Sequence, residues 1–521
     1  MKKSFVLLLT LVVMISGTAV YAQNELLQEK DQVHYTERVL YGDKSVVDGV
    51  TVEADISYGY YLCWNTKYKM SNAPKTETKY IMYPWGESMG TYRNSGSLWF
   101  NMDVDMQLEV GIDDFEKENY HGLELAIKEL YDKTEPGTEN MMTVYLKDYL
   151  EYYNFVLELK LPHDVEGKSY REYGYYSESE LREKLAHWEE TGTNKDEAEE
   201  VRKYLEMLDT FQAFFKIPVL DMEVYTIGIA KDEAGRVIGM SESSVNGGGA
   251  SGQINIPDVP QVEGMDNFSF NTYSLFDKGD CYFTFNPHTF NDNLVDVSQI
   301  PGGYGIYHFT YDKKGNLDLD NLKMVYPLDV KMHISDMKVD ESDANLLLFT
   351  SDEEHHYMTI IDRETMTLVD TFTIGDSESY MTNWVYDDFI VVRTENLMVY
   401  PLGEDGRYTQ AFAVEFQMLE DRVHSLSEDI NFLHYNSDFD WNGEQLLIVN
   451  DIMYVDENLR NNYTCNFYAA VVDESGLVYY AEYDSSLHTN NTDYTNAYSY
   501  LYDGCRFGTE YGKPVRANWA K

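Results

Sequence analysis

The sequence predicts an all-β protein, a β-propeller of about seven four-stranded blades (range six to eight) with a small helical hairpin insertion. Three observations support this fold class. Short strands rich in aromatic and β-branched residues alternate with polar turns along most of the chain. Four apolar strands recur in its second half, each inside a similar pattern of hairpins. A single stretch has extended helical periodicity.

The amino terminus predicts an export signal. Lys2 and Lys3 precede an apolar run over 5–15, and Val20-Tyr21-Ala22 places small residues where a signal peptidase reads them. We expect residues 1–22 to be the signal peptide and 23–521 to be a single β-propeller domain, secreted or extracytoplasmic, with cell-surface association included. An uncleaved membrane anchor is the alternative. Elsewhere no apolar stretch approaches the roughly 20 residues that span a bilayer, so we expect no membrane span after cleavage.

The charge of the chain restricts its partners. Forty Lys and Arg stand against ninety Asp and Glu, a formal net charge of -50. Such a chain repels phosphate backbones, which excludes nucleic acid as a partner, and it attracts cations and basic proteins or peptides. Hydrophobic residues make up 43% and aromatic residues 14%, so we expect a packed core under an acidic surface rather than disorder. We expect a monomer.

The first half combines strands with the helical insertion, placed at 165–215. The apolar side chains of Phe155, Leu157, Leu159 and Leu161 alternate along one predicted strand. Ser177 and Glu180 then match a capping box that opens the first helix. We expect the apolar faces of the hairpin to pack on the sheets, and a docking surface for a partner is the alternative. The glycine-rich stretch in 245–265 lacks the Lys-Ser/Thr of a phosphate-binding loop, which predicts a loop.

The repeat is the strongest signal in the chain. The strands Tyr282–Phe285, Leu346–Phe349, Phe389–Val392 and Leu446–Val449 begin 64, 43 and 57 residues apart. Each follows a shorter strand and a polar turn, and each precedes a loop and a second hairpin. Val224–Met240 supplies a further hairpin upstream. Stacked units of four strands are typical of propeller blades, because one isolated blade buries too little surface.

The turn that leads into the last of these strands carries a resemblance. The stretch Asp440-Trp441-Asn442-Gly443-Glu444-Gln445-Leu446 is similar to the Ser-Pro-Asp-Gly-Lys-x-Leu turn of TolB-like and WD40-like propellers. The resemblance covers about 267–521 and concerns architecture, so it implies the propeller fold. The chain departs from the WD40 pattern in that no blade ends in Trp-Asp.

The sequence contains no complete motif for catalysis or metal binding. Asp438, Asp440, Asn442 and Gly443 match the opening of a calcium loop, but position 12 is Val449 instead of Glu. We therefore expect a hairpin turn there and no cofactor, with Ca²⁺ as the alternative. Nucleophile elbows and zinc-protease helices are absent from the sequence, which leaves an enzyme uncertain and favours a non-enzymatic role. The pairing of Cys63, Cys281, Cys465 and Cys505 stays open.

Loops at one rim of the predicted propeller are the candidate ligand-binding region. In propellers, the loops between the second and third strands of each blade open on the same rim. The acidic, aromatic and histidine residues expected there are Asp292, Asp296, Asp352, Glu353, Glu354, His355, His356, Tyr380, Tyr454 and Asp456. Because His355 and His356 are consecutive on a strand, they face opposite sides and do not readily share one metal ion.

These observations favour a secreted binding or interaction module that recognises a partner or ligand at an acidic, aromatic rim. The expected ligands are a basic protein or peptide, or a glycan. One alternative is a carbohydrate-binding or carbohydrate-active propeller, and another is a calcium-stabilised structural surface protein.

Overall fold

A computed structural model describes most of the chain. The described residues are 33–58, 62–71, 73–82, 96–102, 122–162, 165, 170, 173, 176, 178–244, 247–252, 266–340, 342–427, 430, 432–434, 437–455, 461–486, 505–507 and 515–519. The predicted signal peptide lies outside them. The chain forms two compact units, a split unit of Met1–Arg93 with Ile374–Lys521 and a continuous unit of Asn94–Thr373.

The split unit contains three antiparallel sheets in its described residues. Their orders are β1-β26-β25-β24-β23, β19-β20-β21-β22 and β27-β2-β3-β4, and β28 also pairs with β2. With numbering in chain order, the strands are β1 (Tyr35–Tyr41), β2 (Thr51–Tyr58), β3 (Leu62–Lys69), β4 (Lys75–Met82), β19 (Thr382–Val385), β20 (Phe389–Arg393), β21 (Asn396–Pro401), β22 (Phe412–Glu415), β23 (Asp438–Trp441), β24 (Leu446–Val455), β25 (Asn461–Asp473), β26 (Gly476–Ser485), β27 (Cys505–Phe507) and β28 (Val515–Asn518).

The continuous unit contains four antiparallel sheets in its described residues, with the orders β10-β9-β8-β6, β11-β12-β13-β14, β15-β16-β17-β18 and β5-β7. The strands are β5 (Ser97–Met102), β6 (Glu139–Tyr145), β7 (Phe155–Lys160), β8 (Val224–Lys231), β9 (Val237–Ser244), β10 (Gly247–Gly252), β11 (Thr272–Asp277), β12 (Asp280–Phe285), β13 (Gly305–Tyr311), β14 (Leu317–Pro327), β15 (His333–Val339), β16 (Asn345–Ser351), β17 (His355–Asp362) and β18 (Thr367–Asp376).

Four α-helices occur in the described ranges: α1 (Leu123–Lys133), α2 (Glu178–Thr191), α3 (Lys195–Phe214) and α4 (Phe416–His424). Two short 3₁₀ helices cover Lys44–Val47 and Leu146–Asp148. No helix among the described residues is long and apolar enough to cross a membrane.

The predicted fold class is confirmed. The four apolar strands of the sequence repeat are β12, β16, β20 and β24, and each is the second strand of an antiparallel sheet in sequential order. These strands are buried on both faces. In β24, for example, Leu447 and Val449 belong to one core cluster, while Leu446 and Ile448 belong to another. Double burial explains why they read as continuous apolar runs instead of alternating patterns.

Strands from the two ends of the described chain complete sheets of the split unit. Strand β1 pairs antiparallel with β26, and β28 pairs antiparallel with β2. Two carboxylates of β23 also hold β28. Asp438 accepts a hydrogen bond from the Ala517 backbone N–H (2.8 Å), and Asp440 accepts one from Trp519. The spacing of two residues on both sides matches the side-chain period of a strand.

The helical hairpin protects a sheet edge in the continuous unit. The Tyr204 hydroxyl donates to the Leu157 carbonyl (3.0 Å) and accepts from the Leu157 N–H (3.0 Å). Gln212 donates to the Phe155 carbonyl at 3.0 Å. Side chains of α3 thus satisfy the open edge of β7, which would otherwise present unpaired backbone groups. The observed packing agrees with the expectation that the apolar faces of the hairpin are core faces.

One segment differs from the prediction. The stretch 245–265 was expected to be a loop, but Gly247–Gly252 forms strand β10 and pairs with β9 at the edge of its sheet. Glycine has no side chain from which a strand period could be read, so the pattern gave no strand signal. The remainder, 253–265, lies outside the described residues.

Aromatic rings dominate the core of the continuous unit. Phe100 stacks on Phe155 at 4.9 Å between ring centroids and meets Phe211, Phe270 and Phe283 edge-on at 5.4–5.9 Å. Offset and edge-to-face contacts of this kind add to the stabilisation from burial. Cys281 is a free, fully buried thiol in this core, and burial raises its pKa. The side chains of the other three cysteines lie outside the described residues.

Candidate functional site

The candidate site lies on the continuous unit, where the sheets β11–β14 and β15–β18 meet. The Asn286 side chain accepts a hydrogen bond from the Ile334 N–H (2.6 Å) and donates one to the Ile334 carbonyl (3.1 Å). It therefore bonds the backbone of β15 as a strand would. Asn286 begins the long loop 286–304 between β12 and β13, so this clamp fixes the root of that loop against the neighbouring sheet.

A buried carboxylate organises the tip of the long loop. Asp266 is 4% exposed and accepts hydrogen bonds from the side chains of Thr289 and Asn293 and from the Asn291 N–H, the last two at 2.7 and 3.0 Å. The Thr289 N–H donates to the Asn293 carbonyl at 2.8 Å and closes the turn. The loop tip is therefore rigid, because both ends of its turn are bonded to one buried group.

The rigid tip presents an apolar and an acidic side chain to solvent. Phe290 is 68% exposed and Leu294 is 45% exposed. Between them Asp292 has a left-handed backbone (φ 66°) and a side chain that is 73% exposed. Aspartate tolerates this conformation better than most residues. A large exposed ring on a fixed backbone has little conformational entropy to lose when a partner covers it.

Two histidines lie beneath this tip. The rings of His288, in the long loop, and His333, at the start of β15, stack with centroids 3.9 Å apart and planes inclined by 20°. The His333 Nε2 lies 3.4 Å from Asp292 Oδ1. Burial, and then the neighbouring ring of His333, lower the pKa of His288, while Asp292 acts in the opposite direction. Sequence patterns missed this contact, because 45 residues separate the two histidines and no motif joins them.

The acidic turn 351–355 lies at the same edge. His333 pairs with Ser351 across β15 and β16, and Asp352 follows directly. The Asp352 carboxylate accepts hydrogen bonds from the N–H groups of His355 (2.7 Å) and Glu354 (2.8 Å), which lower its pKa. Asp352 therefore shapes the turn. Glu353 and Glu354 are the exposed carboxylates that the turn presents.

The predicted histidines of this turn separate as expected for a strand. His355 is half-buried and His356 is buried on the opposite side of β17. Asp296, in the long loop, is exposed and accepts a hydrogen bond from the Ser298 N–H at 2.9 Å. Of the predicted ligand-binding residues, the structure brings Asp292 and the turn 352–354 to one edge, which we call the acidic edge. It comprises Phe290, Asp292, Asp352, Glu353 and Glu354, with His288 and His333 beneath.

The remaining predicted residues belong to the split unit. Tyr380 is 75% exposed. Tyr454 lies in β24, and its side chain is outside the described part of the structure. Asp456 also lies outside the described residues.

A second polar cluster lies in the split unit. Leu433 has a left-handed backbone (φ 61°), which is strained for a branched side chain. Its N–H donates to the Tyr468 hydroxyl (3.2 Å), and its carbonyl accepts from Arg393 (3.1 Å). The next residue, His434, has its Nε2 3.3 Å from Asp451 Oδ1. Both side chains are more than nine-tenths buried, so we assign this cluster a structural role in the interior of the unit and do not treat it as a binding surface.

In the described ranges, no group of three or more His, Cys, Asp or Glu side chains is placed to hold a metal ion. The carboxylates of the calcium-like stretch have other partners. Asp438 accepts from the Tyr386 hydroxyl at 3.0 Å in addition to Ala517, and Asp440 accepts from the N–H groups of Trp441 and Trp519.

No protein-family model and no curated protein matches the chain. Among solved structures it is similar to a protein from Lactobacillus plantarum, at 11% identity over 50% of this chain and 79% of that chain, with a TM-score of 0.23. It is also similar to a putative 6-phosphogluconolactonase from Bacteroides fragilis, at 7% identity over 84% of this chain and 95% of that chain, with a TM-score of 0.27. Similarities this low carry no statement about activity.

Proposed function

We propose that this protein is a secreted binding module whose acidic edge recognises a basic segment of a partner protein. One observation carries the proposal: the tip of the long loop holds an exposed aromatic ring and a carboxylate on a backbone fixed by the buried Asp266. Preorganised aromatic side chains are frequent anchors of protein interfaces. The net charge of -50 favours a cationic partner and speeds its encounter.

The expected binding mode combines one apolar contact with several ionic ones. Phe290 would insert against an apolar side chain of the partner, while Asp292, Glu353 and Glu354 would face its lysines or arginines. Exposed ionic contacts contribute modestly and are screened by salt. Truncation of the anchor should therefore cost most of the affinity, and removal of single carboxylates should cost less and mainly slow association.

An array of synthetic peptides that combine two to four Lys or Arg with one Phe, Leu or Trp tests the proposal. We expect Phe290→Ala to weaken binding by roughly 30-fold, the effect of losing an interface anchor. Asp292→Lys should weaken it by a smaller factor and reduce its salt dependence. Matched controls on the same unit are Leu368→Ala, for an exposed apolar side chain, and Asp320→Lys, for an exposed carboxylate on β14.

Binding that is unchanged in Phe290→Ala and Asp292→Lys, or weakened equally by the two controls, would contradict the proposal. A glycan array serves as the counter-experiment. Selective retention of one glycan class, lost in Phe290→Ala, with no peptide retained, would replace the peptide partner by a carbohydrate.

A further inference from the structure

The stacked histidines His288 and His333 contact the acidic edge through Asp292, so their protonation changes the charge of this edge. Two imidazole rings 3.9 Å apart are compatible when both are neutral or when one carries a proton. Two protons would place like charges in direct contact. Once one ring is charged, the stacked arrangement therefore opposes a proton on the other ring.

Asp292 decides where the first proton goes. Its Oδ1 lies 3.4 Å from the Nε2 of His333, so a protonated His333 gains an ionic partner. His288 is less suited to hold a proton. Its Nδ1 is buried and has no hydrogen-bond partner among the residues that the structure describes, whereas a protonated imidazole needs acceptors for both N–H groups. Burial and the neighbouring ring also lower the pKa of His288 from its ordinary 6.5.

The adjoining elements carry other charged groups. Strand β15 itself carries the ion pair of Asp336 and Lys338, and Asp266 is bonded to the long loop. The turn before β15 carries Asp329 and Lys331, the long loop carries Asp292 and Asp296, and the turn between β16 and β17 carries Asp352, Glu353 and Glu354, followed by His355 and His356. Most of these side chains are carboxylates, a group whose ordinary pKa of about 4 lies below the mildly acidic range. The histidines are consequently the groups whose charge changes in the mildly acidic range.

We propose that the His288–His333 pair makes binding at the acidic edge pH-dependent, so that a basic partner held at neutral pH is released at mildly acidic pH. The inference rests on the proposed function. Protonation of His333 gives Asp292 an ion partner and so reduces the net negative charge of the edge. A second proton, on His288, repels the protonated His333 and displaces the tip that carries Phe290.

The sign of the linkage follows from the direction of the shift. A histidine whose pKa is lowered in the folded protein favours the stacked arrangement at a pH above its ordinary value. That contribution is lost as the pH falls from about 6.5 towards the lower folded value. The stacked loop and the bound partner should therefore both be favoured at pH 7.5 and disfavoured at pH 5.5.

A synthetic peptide of four lysines around one phenylalanine is the probe, measured by calorimetry at pH 7.5 and pH 5.5 and constant ionic strength. We expect the affinity of the native protein to fall by about tenfold between the two values. Linkage to one proton changes an equilibrium constant by about tenfold over one pH unit. His333→Gln should reduce the change to less than about twofold. His187→Gln, at an exposed histidine of α2, should keep the full change.

The imidazole resonances supply a readout that needs no partner. We expect the His288 resonance to take up its proton at a lower pH in the native protein than in His333→Gln, because the neighbouring ring of His333 lowers the pKa of His288. Equal affinity at both pH values, or a titration of His288 that His333→Gln leaves unchanged, would overturn this inference while the proposed function stands. Absence of binding at both pH values would overturn the proposed function and the inference with it.

Discussion

Arg38 and Glu482 face each other across strands β1 and β26 and form an ion pair, although 444 residues separate them. The Glu482 side chain is 1% exposed, whereas that of Arg38 is 58% exposed. The guanidinium therefore reaches from the surface to neutralise a carboxylate inside the split unit. Strand β1 therefore supplies the positive charge that compensates the buried carboxylate of β26.

Arg38→Met should destabilise the protein by about 3 kcal/mol, because it leaves a buried carboxylate without its cation. Urea unfolding followed by tyrosine and tryptophan fluorescence measures the change. The double variant Arg38→Met with Glu482→Leu should recover much of the loss. Lys75→Met, which breaks an exposed pair with Glu77, is the control and should have little effect. Equal losses in Lys75→Met and Arg38→Met would contradict this account.

Asn286→Ala should destabilise the continuous unit by about 2 kcal/mol, because it leaves the N–H and the carbonyl of Ile334 buried without partners. Asn321→Ala removes an exposed amide that bonds Asp318 and should be nearly neutral. Urea titration gives both values. Amide hydrogen exchange adds a local test, since the Ile334 amide should lose protection in Asn286→Ala, and unchanged protection there would argue against the clamp.

Tyr204→Phe should cost about 2 kcal/mol, because one hydroxyl bonds both backbone groups of Leu157. Thermal unfolding by circular dichroism measures the effect. Tyr173→Phe is the matched control, since its hydroxyl bonds the Glu200 side chain at 3.2 Å. If Tyr204→Phe were as mild as the control, α3 would not be the group that satisfies the edge of β7.

Asp438→Asn and Asp440→Asn separate a structural role from calcium binding. Each should lower the melting temperature, because it weakens the bond that holds β28. The decrease should be the same with calcium and with EDTA, since both carboxylates already accept hydrogen bonds from the backbone. A decrease that appears only in the presence of calcium would favour the ion-binding alternative.

Acidification should weaken the contacts of Asp280, which bonds His308 within its own sheet and Arg363 beside the neighbouring sheet. Hydrogen bonds from His308 (2.8 Å) and, with a smaller effect, from Arg363 (3.3 Å) hold the pKa of Asp280 below 3.8. A lowered carboxyl pKa stabilises the fold above the unfolded value, and this contribution is lost as the pH falls through the folded value.

Asp280→Asn should accordingly be less stable than the native protein at pH 7 and should lose less stability between pH 5 and pH 3. Denaturant unfolding across that range measures both slopes. Asp320→Asn, at an exposed residue, should show the same slope as the native protein. A slope for Asp280→Asn parallel to the native one would contradict the assignment.

The strands that sequence predicted well are those whose burial leaves a local pattern. Leu346–Phe349 is apolar on both faces and lies at the centre of its sheet, so its run of side chains alone marks it. The helical hairpin was equally visible, because its apolar period differs from that of the surrounding strands. Strand β10 was missed because its glycines carry no period.

The contacts that sequence did not reveal are those between distant residues. Nothing near Arg38 or Val515 indicates that β1 and β28 complete sheets begun elsewhere, since pairing is decided by the partner strand. The acidic turn and Asp292 were found from composition and loop position. Asp266 and the His288–His333 stack were missed, because each acts through a neighbour that folding brings close.

The pairing of β1 with β26 has a consequence for the order of events during synthesis. The continuous unit is a single stretch of chain and can fold as soon as it has emerged, whereas the split unit must wait for residues made more than 400 positions after its first strand. Closing so long a loop is slow. During that interval the backbone groups at the edge of β1 have no strand to pair with, so this edge is open to misfolding and aggregation until β26 has been made.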